Sequence, residues 1–487
     1  MSATAAQRGA ADVADAIVER LHAFPPPPPE LADAVREAGG PPSPEGDPLN
    51  ALVRRCSVRA RVTIGDGLLA GRTLVVKDVI AVAGVPLTGG SRALEGYVPA
   101  HDSTVVRRAL DAGAEIVGIA NMDELGASSS GCTSVHGPTR NPFDRTRSAG
   151  GSSGGSAAAL SYPWVDLALG CDQGGSLRLP ASWCGVVGLK PTHGLVPYTG
   201  IVGMQASLDH VGPLGRTVRD VATLLQAIAG PDGRDPRQRD ARPPDLLSAL
   251  DDARASALRG WRVGVVAEDP SAGVETDPAV AAATADAVAR LAASGASVER
   301  VELGIAARAR AVHSIAMLSG LPSLLDGGVS YQLGDGQPVE LGEALAHGLR
   351  ERWGELGPDL QRVLKLGRAL RRRHRGAPYA WAELVRAEIR REVDRALAPF
   401  DVLVMPTSPL LPPEVPEGDL TEARRRTALA IVNTLQFNVT GHPAMTLPLA
   451  AADGLPVGIS AVARQHDEPR LLAFAAACER ELGWAGQ

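Results

Sequence analysis

Lysine is nearly absent from this chain of 487 residues, and its scarcity is informative. The sequence contains 49 basic residues, but lysine occurs only at Lys77, Lys190 and Lys365, so the other 46 are arginine. Arginine does not give up its proton in a protein, whereas a desolvated lysine can become a neutral base. A lysine retained in so arginine-rich a sequence is therefore a candidate for chemistry that arginine cannot perform.

The sequence also lacks the features of membrane, secreted and metal-binding proteins. No apolar run approaches the roughly 20 residues of a membrane span, and residues 1–21 contain three acidic side chains and no signal-peptide core. Five scattered cysteines without a CxxC pair predict reduced thiols. The ten histidines form no HExxH or HxxxH cluster. We therefore expect a cytoplasmic protein that uses neither a metal nor another cofactor.

The overall composition is that of an ordinary globular protein. Hydrophobic residues make up 45% of the chain and charged residues 21%, which is enough apolar material for a large core. The formal net charge is −6. A negative chain is poorly suited to bind nucleic acid or an anionic membrane surface, so we expect neither as a partner.

Strand and helix patterns alternate from about residue 70 to the C-terminus. Strand-like runs occupy 72–77, 114–119, 165–169, 185–189, 262–266, 297–303, 401–405, 444–449 and 457–462. Helical patterns occupy 103–112, 217–229, 278–293 and 469–482, and helices dominate 304–399. Strands separated by helices predict an α/β chain with a mixed or parallel sheet that is covered by helices on both faces.

The N-terminal region has a different character. Residues 11–22 and 30–38 are predicted to be short helices on either side of Pro25–Pro29, which cannot be helical and is expected to be extended. The Pro- and Gly-rich segment 39–48 is predicted to be a linker. We therefore expect residues 1–65 to be a helical appendage with a linker, and residues 66–487 to be the main domain.

Two glycine- and serine-rich segments stand out within the main domain, GGSSGGS at 150–156 and DQGGSLRLP at 172–180. A single segment of this kind is most often a flexible loop, and the absence of GxxxxGK[ST] excludes a P-loop. Residues 150–154 match the GxSxG nucleophile elbow. We regard that match as a decoy, because no Asp-then-His pair follows at the ends of later strands.

Together with Lys77, the two segments resemble motifs of the amidase signature family. Residues 76–78 are similar to the family's V-K-D motif, 150–156 to G-G-S-S-G-G-S, and 172–178 to D-x-G-G-S-[IL]-R. The spacings also agree, with 75 residues from Lys77 to Ser152 and 24 from Ser152 to Ser176. Further similar stretches are 121–124, 137–142, 184–192 and 454–458, so the resemblance extends over about 72–479, with only scattered matches in 304–436.

This resemblance implies the amidase signature fold, with a large, mixed, mostly parallel, twisted sheet, and a relay of three catalytic residues. Ser176 would be the nucleophile, Ser152 the bridge and Lys77 the base. The peptide bond before Ser152 would be cis. Ser153 is adjacent to Ser152, and only the 24-residue spacing distinguishes the two serines.

The resemblance also implies which residues bind the substrate. The backbone N–H groups of Gln173, Gly174 and Gly175, with that of Ser176, would form an oxyanion hole. By the same resemblance, Gly126 and Ser128 would line the acyl side of the pocket. Asp172 and Arg178 flank the loop with opposite charges, and we expect them to be a structural pair or loop anchors that take no part in the chemistry.

The implied function is hydrolysis of a small carboxamide to a carboxylate and ammonia or an amine, through an acyl-serine intermediate. The sequence resembles stand-alone bacterial amidases of the enantioselective type, since the A subunit of glutamyl-tRNA amidotransferase usually has Thr in place of Gln173. An A-type subunit that needs partner subunits stays open as an alternative, as does a relative that transfers acyl groups or cleaves esters or carbamates. A homodimer is the candidate assembly.

Overall fold

A computed structural model of the protein describes residues 5–22, 31–63, 67–238, 245–253, 257–326, 338–415, 417–419 and 421–484. The strands in these ranges are β1 Ala34–Gly40, β2 Leu52–Ala60, β3 Thr73–Lys77, β4 Glu115–Ala120, β5 Leu167–Asp172, β6 Val187–Lys190, β7 His210–Gly215, β8 Arg262–Val266, β9 Ser297–Val301, β10 Val402–Pro406, β11 Ala444–Ala452 and β12 Leu455–Val462. The α-helices are α1 Ala5–His22, α2 Thr104–Asp111, α3 Gly154–Ala159, α4 Arg178–Trp183, α5 Val218–Ile228, α6 Leu246–Ala253, α7 Pro278–Ala293, α8 Ala306–Ser319, α9 Val339–Glu351, α10 Pro358–His374, α11 Ala377–Leu397, α12 Thr421–Ala430, α13 Leu435–Thr440 and α14 Glu468–Leu482.

The twelve strands form one mixed sheet in the order β1-β2-β4-β3-β5-β7-β6-β11-β12-β10-β8-β9. This confirms the prediction of an α/β chain with a large mixed sheet. The expectation of a mostly parallel sheet is wrong, because seven of the eleven pairings in the described chain are antiparallel. Short connections such as the turn between β11 and β12 permit only antiparallel pairing, and a buried apolar run does not reveal the direction of its strand.

Helices cover both faces of this sheet. Successive side chains of a strand point to opposite faces, and Leu74 and Val76 of β3 pack in a core that also contains α2, α5 and α14. Val75, between them, packs in a second core with α3 and α4. The strand is therefore buried on both sides, which explains why it is a continuous apolar run without alternation.

The N-terminal region differs from the sequence prediction. Residues 34–40, which overlap the predicted helix at 30–38 and the start of the predicted linker at 39–48, form β1. β1 pairs antiparallel with β2, and β2 pairs with β4. A helix at 30–38 is therefore wrong, because pairing with β2 decides the conformation of this stretch. Pro25–Pro29 lies outside the described residues. The division of the chain at residue 65 stays a prediction, although two strands before it belong to the sheet.

The sheet brings the two motif-bearing strands together. β3 and β5 are parallel neighbours with Val76 opposite Leu169, so Lys77 and Asp172 lie at the carboxyl ends of adjacent strands. Helices α3 and α4 start two residues after Ser152 and Ser176, respectively. Both serine segments are therefore strand- or loop-to-helix turns at the same edge of the sheet, which is where ligands bind in many α/β proteins.

Candidate active site

Lys77 and Ser152 are hydrogen-bonded in the interior of the protein. The distance from Lys77 Nζ to Ser152 Oγ is 2.7 Å, and both residues are buried. The Gly151–Ser152 peptide bond is cis, as the resemblance implied. Two residues that lie 75 positions apart in the sequence therefore form one polar pair at the end of β3.

The structure distinguishes Ser152 from its neighbour Ser153. Ser153 Oγ donates to the carbonyl oxygen of Cys171 at 3.1 Å and accepts from the N–H of the same residue at 3.2 Å. The Ser153 side chain therefore ties the first serine segment to β5. Only Ser152 presents its hydroxyl to Lys77.

Burial lowers the pKa of Lys77 below the ordinary lysine value of 10.5. The amine is buried, and removing an ammonium ion from water favours its neutral form. The acidic groups of Asp123, Asp172 and Asp209 and the thiol of Cys171 act in the opposite direction but do not outweigh the burial. Lys77 is therefore suited to accept a proton. The other buried lysine, Lys190, instead donates to two backbone carbonyls.

Asp172 and Arg178 form a buried, bidentate ion pair at the base of the second serine segment. Arg178 Nε and Nη2 lie 2.9 and 3.0 Å from the two Asp172 carboxylate oxygens, and Nη2 also donates to Asn438 Oδ1 at 2.7 Å. Burial alone would raise the pKa of Asp172, but the Arg178 charge and the hydrogen bonds from Arg178 and Asn438 bring it to about 2. The expectation of a structural pair is confirmed.

The carbonyl oxygens of the loop from Asp172 to Ser176 all accept hydrogen bonds. The carbonyl of Asp172 accepts from Asn438 Nδ2 at 2.9 Å, that of Gln173 from His313 Nε2 at 3.2 Å and that of Gly174 from Thr434 Oγ1 at 2.7 Å. The carbonyl of Gly175 accepts from the Leu179 N–H at 2.7 Å, and that of Ser176 accepts from the Ser153 N–H at 2.9 Å. The orientation of each peptide group in the loop is therefore fixed from its carbonyl side.

The N–H groups of this loop divide into two kinds. The N–H of Gly175 donates to Asp172 Oδ1 at 2.7 Å, so it already has an acceptor, and the expected role of Gly175 as an oxyanion donor stays a prediction. Gly175 is needed for its backbone, since its φ is +134° and an added Cβ would lie 2.1 Å from Thr434 Oγ1. The N–H groups of Gln173, Gly174 and Ser176 find no acceptor within the described chain.

A cavity of about 640 Å³ opens beside this loop. Its lining includes five of the residues named from the sequence, which are Gly126, Ser128, Gln173, Gly174 and Ser176. Helices α8, α10 and α12 contribute much of the remaining wall. The cavity is of the size that holds a small organic molecule.

Gly126 and Ser128 lie in a loop that Asp123 organises. A Cβ added at Gly126 would lie 3.5 Å from Ser152 Oγ, so this loop reaches the relay. The Ser128 hydroxyl donates to Ser130, whose own hydroxyl donates to Asp123 Oδ1. The same carboxylate accepts the N–H groups of residues 131–133. Asp123 therefore holds the loop, while Ser128 Oγ accepts the Ser130 N–H at 3.2 Å and keeps a second lone pair.

The side chain of Gln173 is engaged in the interior of the protein. Gln173 Nε2 donates to Tyr198 Oη at 2.9 Å, and the residue is 5% exposed. The side-chain amide of Gln173 therefore has a partner within the protein, whereas its backbone N–H has no acceptor in the described chain.

Three residues of the site were not identified from the sequence. His313, Thr434 and Asn438 each hold a carbonyl of the loop, and all three lie far from it in the chain, two of them in the poorly matching segment 304–436. An isolated His, Thr or Asn in a helix or just before one has no local pattern that marks it. The sequence could not have assigned these residues without knowing which helix packs on the loop.

Comparison with known proteins identifies the family. The model of the Amidase family matches residues 55–472. The chain belongs to this family. It is 42% identical to an enantioselective amidase of Rhodococcus rhodochrous, over 86% of this chain and 81% of that protein. It is 39% identical to the A subunit of the glutamyl-tRNA(Gln) amidotransferase of Halobacterium salinarum, over 89% of this chain and 100% of that protein.

A solved structure supports the same conclusion. The structure of a 6-aminohexanoate cyclic dimer hydrolase superposes with a TM-score of 0.73 at 29% identity, covering 86% of each chain. The prediction of an amidase, a hydrolase acting on amide C–N bonds, is confirmed by the family match and these relatives. Within the described ranges, no helix has the length and apolar character needed to cross a membrane.

Proposed function

We propose that this amidase hydrolyses a small carboxamide through an acyl intermediate on Ser176, with Ser152 and Lys77 as a proton relay. The observation that carries the proposal is the 2.7 Å contact between Lys77 Nζ and Ser152 Oγ, buried beside the loop that bears Ser176. A backbone hydrogen bond from the Ser153 N–H to the Ser176 carbonyl joins the two serine segments. The three residue types together supply a nucleophile, a proton carrier and a base.

In the first half of the reaction, Ser176 Oγ attacks the amide carbonyl carbon. Its proton passes to Ser152 Oγ while the Ser152 proton passes to the neutral amine of Lys77, which becomes an ammonium ion. The negative charge on the substrate oxygen is received by N–H groups of the loop, for which those of Gln173, Gly174 and Ser176 are the available donors.

Collapse of the tetrahedral intermediate breaks the C–N bond. The leaving nitrogen takes a proton back along the relay, so Lys77 returns to its neutral form and ammonia or an amine departs. Water then attacks the acyl-Ser176 ester with the same relay as base, and the products are the carboxylate and free Ser176. The acceptor in this half is water in an amidase and another amine in an acyl transferase.

Replacing Ser176 with alanine tests the proposal. We expect Ser176→Ala to abolish ammonia release from a panel of small aliphatic, aryl and amino-acid amides, because the nucleophile is gone. An aryl sulfonyl fluoride should add one covalent group to the wild-type protein, located at Ser176 by peptide mass spectrometry, and none to the variant. Full activity of a folded Ser176→Ala protein would overturn the proposal.

A second candidate function is that of an amidotransferase A-type subunit. The alignment that spans all of the Halobacterium protein favours it, since no part of that protein is left unmatched. The purified chain should hydrolyse simple amides without additional proteins if it is a stand-alone amidase. A strict requirement for partner subunits and tRNA would favour the second candidate.

Two further properties belong to the proposal. A cytoplasmic location is supported by the five cysteines, none of which forms a disulfide.

A homodimer is proposed as the assembly, and light scattering on the purified protein measures it directly.

A further inference from the structure

Among the described residues, His313 is the one side chain that both hydrogen-bonds a carbonyl of the nucleophile loop and lines the cavity. It projects from α8, lines the cavity together with Ser176, and lies 3.2 Å through its Nε2 from the carbonyl oxygen of Gln173. Thr434 and Asn438 hold neighbouring carbonyls but are not part of the cavity wall. His313 was not among the residues expected from the sequence, and the proposed relay does not use it.

The contact fixes the position of the proton on His313, and burial sets its charge. A carbonyl oxygen can only accept a hydrogen bond, so Nε2 must carry the proton. Burial lowers the pKa of His313 to about 4, against the smaller opposing influences of the Gln173 carbonyl and Asp172. The imidazole is therefore neutral near pH 7, with a bare Nδ1. A neutral imidazole can hold the loop without adding a charge beside the position of the oxyanion.

The geometry of the peptide group connects this contact to the reaction. The peptide between Gln173 and Gly174 is planar and trans, so its N–H points opposite to the carbonyl that His313 binds. That N–H belongs to Gly174 and has no acceptor within the described chain. A Cβ at Gly174 would lie 2.6 Å from His313 Nε2, so the imidazole lies directly against this peptide.

We propose that His313 is a positioning residue, which orients the Gln173–Gly174 peptide so that the Gly174 N–H can stabilise the oxyanion. This proposal rests on the proposed function, because an oxyanion forms only if Ser176 attacks an amide. It predicts an effect on the transition state and little effect on substrate binding. A residue with only a structural role would change stability without this distinction.

Three substitutions separate these roles. His313→Leu removes the hydrogen-bond donor, and His313→Asn leaves a donor that is too short to reach the Gln173 carbonyl. We expect kcat to fall about 10- to 100-fold in both variants, as for a misplaced catalytic group. KM should change little, because the lost interaction acts in the transition state. His313→Gln carries an amide N–H at a reach similar to that of Nε2 and should recover most of the lost kcat.

His193 provides a matched control. Its Nε2 also bonds a backbone carbonyl, that of Ala206 at 2.9 Å, and burial likewise lowers its pKa, to about 3. It is not part of the cavity lining. His193→Leu should lower the melting temperature about as much as His313→Leu does, yet keep the wild-type kcat.

The measurements are steady-state ammonia release from one good amide, thermal melting, and the rate of Ser176 labelling by an aryl sulfonyl fluoride. Wild-type kcat in His313→Leu, or equal losses in His313→Gln and His313→Asn, would overturn the role of His313. If His313→Leu does not fold, the comparison of kcat between His313→Gln and His313→Asn still tests the role of His313. Failure of the proposed function would be recognised separately, by activity in Ser176→Ala or by absence of labelling in the wild type.

Discussion

The protonation state of Lys77 decides whether this residue can act as the proposed base. Its amine lies in a fully buried position at the end of β3, where desolvation favours the neutral form and the neighbouring carboxylates favour the charged form. The balance lowers its pKa, which is what a base in this position requires. The fold uses its second buried lysine, Lys190, differently, as a donor to the carbonyl oxygens of Pro191 and His442.

Substitution of the two buried lysines should separate catalysis from stability. Lys77→Met is expected to lower kcat/KM by about 10²- to 10⁴-fold, the usual contribution of a general base. Lys190→Met leaves two buried carbonyls unpaired, at about 1–3 kcal/mol each, so it should lower the free energy of unfolding while the folded fraction keeps its turnover. Ammonia release and urea unfolding measure the two effects. Equal activity losses in both variants would contradict this assignment.

The same lysine predicts a direction for the pH dependence of the enzyme. Only the neutral amine can accept a proton, so kcat/KM should rise with pH as Lys77 loses its proton. Because burial lowers the pKa of Lys77, this rise should be centred below the ordinary value of 10.5. A pH profile of the rate of Ser176 labelling measures it without interference from product release. A profile that falls across the same range would exclude a neutral-lysine base.

At the scale of secondary-structure elements, the site is a junction between β5, α4 and α13. Asp172 ends β5, Arg178 begins α4 and Asn438 lies in α13, and the three side chains share one buried network. The Asp172 carboxylate also accepts the N–H groups of Gly175 and Leu177. The conformation of the turn that bears Ser176 is therefore held by the Asp172–Arg178 ion pair, which takes no part in the proposed reaction.

Removing Arg178 should destabilise the protein strongly. Arg178→Leu leaves a buried carboxylate without its counter-charge, which costs about 3–5 kcal/mol. The matched control is Arg300→Leu, since the Arg300–Glu302 pair is exposed and is worth at most about 1 kcal/mol. Adding Asp172→Asn to Arg178→Leu should recover part of the loss, because an amide carries no charge to bury. Urea unfolding at pH 7 measures all of these variants.

The pH dependence of that stability has a definite sign. The pKa of Asp172 is about 2 in the folded protein, below its ordinary value of 3.8. The stability that Asp172 contributes is therefore complete above pH 3.8 and is lost as the pH falls towards 2. In Arg178→Leu the buried carboxylate should take up a proton at a higher pH, so the gap from wild type should be smaller at pH 5 than at pH 7. A constant gap would contradict the ion-pair explanation.

At the scale of the whole molecule, the N-terminal strands support the site from one edge of the sheet. β2 pairs with β4. The two residues just before β2 bind Asn121, since the Asn121 N–H donates to the Ala51 carbonyl at 2.8 Å and Asn121 Nδ2 donates to the Asn50 carbonyl at 3.0 Å. Asn121 leads directly to Asp123 and the loop of Gly126. By contrast, the side chains of α1 at residues 12–21 are exposed.

Two truncations should therefore behave differently. Deleting residues 1–22 is expected to leave the melting temperature and kcat close to wild type, because the described side chains of α1 contribute no core. Deleting residues 1–60 removes β1 and β2, exposes the edge of β4 and frees Asn121, so it should give an unfolded or aggregated protein. Circular dichroism and ammonia release check both. A stable, active protein that lacks residues 1–60 would show that these strands are dispensable.

The sequence by itself determined the α/β class of the fold and supplied Lys77, Ser152 and Ser176 as the residues of the proposed relay. Lys77, Ser152 and Ser176 lie in short contiguous motifs, whose spacing is visible without a structure, and strands buried on both faces leave uninterrupted apolar runs. The rarity of lysine drew attention to Lys77, Lys190 and Lys365 alike, because arginine cannot act as a base, and the V-K-D motif selected Lys77 among them. These features are local, so the order of residues along the chain is enough to reveal them.

Only the tertiary structure decided the features that depend on contacts between distant parts of the chain. It separated Ser152 from Ser153 by the direction of their hydroxyls, and it assigned the Gly175 N–H to Asp172. It showed that residues 34–40 form a strand and that most strand pairings are antiparallel. It also brought His313 of α8 into contact with Gln173, 140 positions away in the chain. Hydrogen-bond partners and strand direction are set by which elements meet in space, and no local pattern in the sequence contains that information.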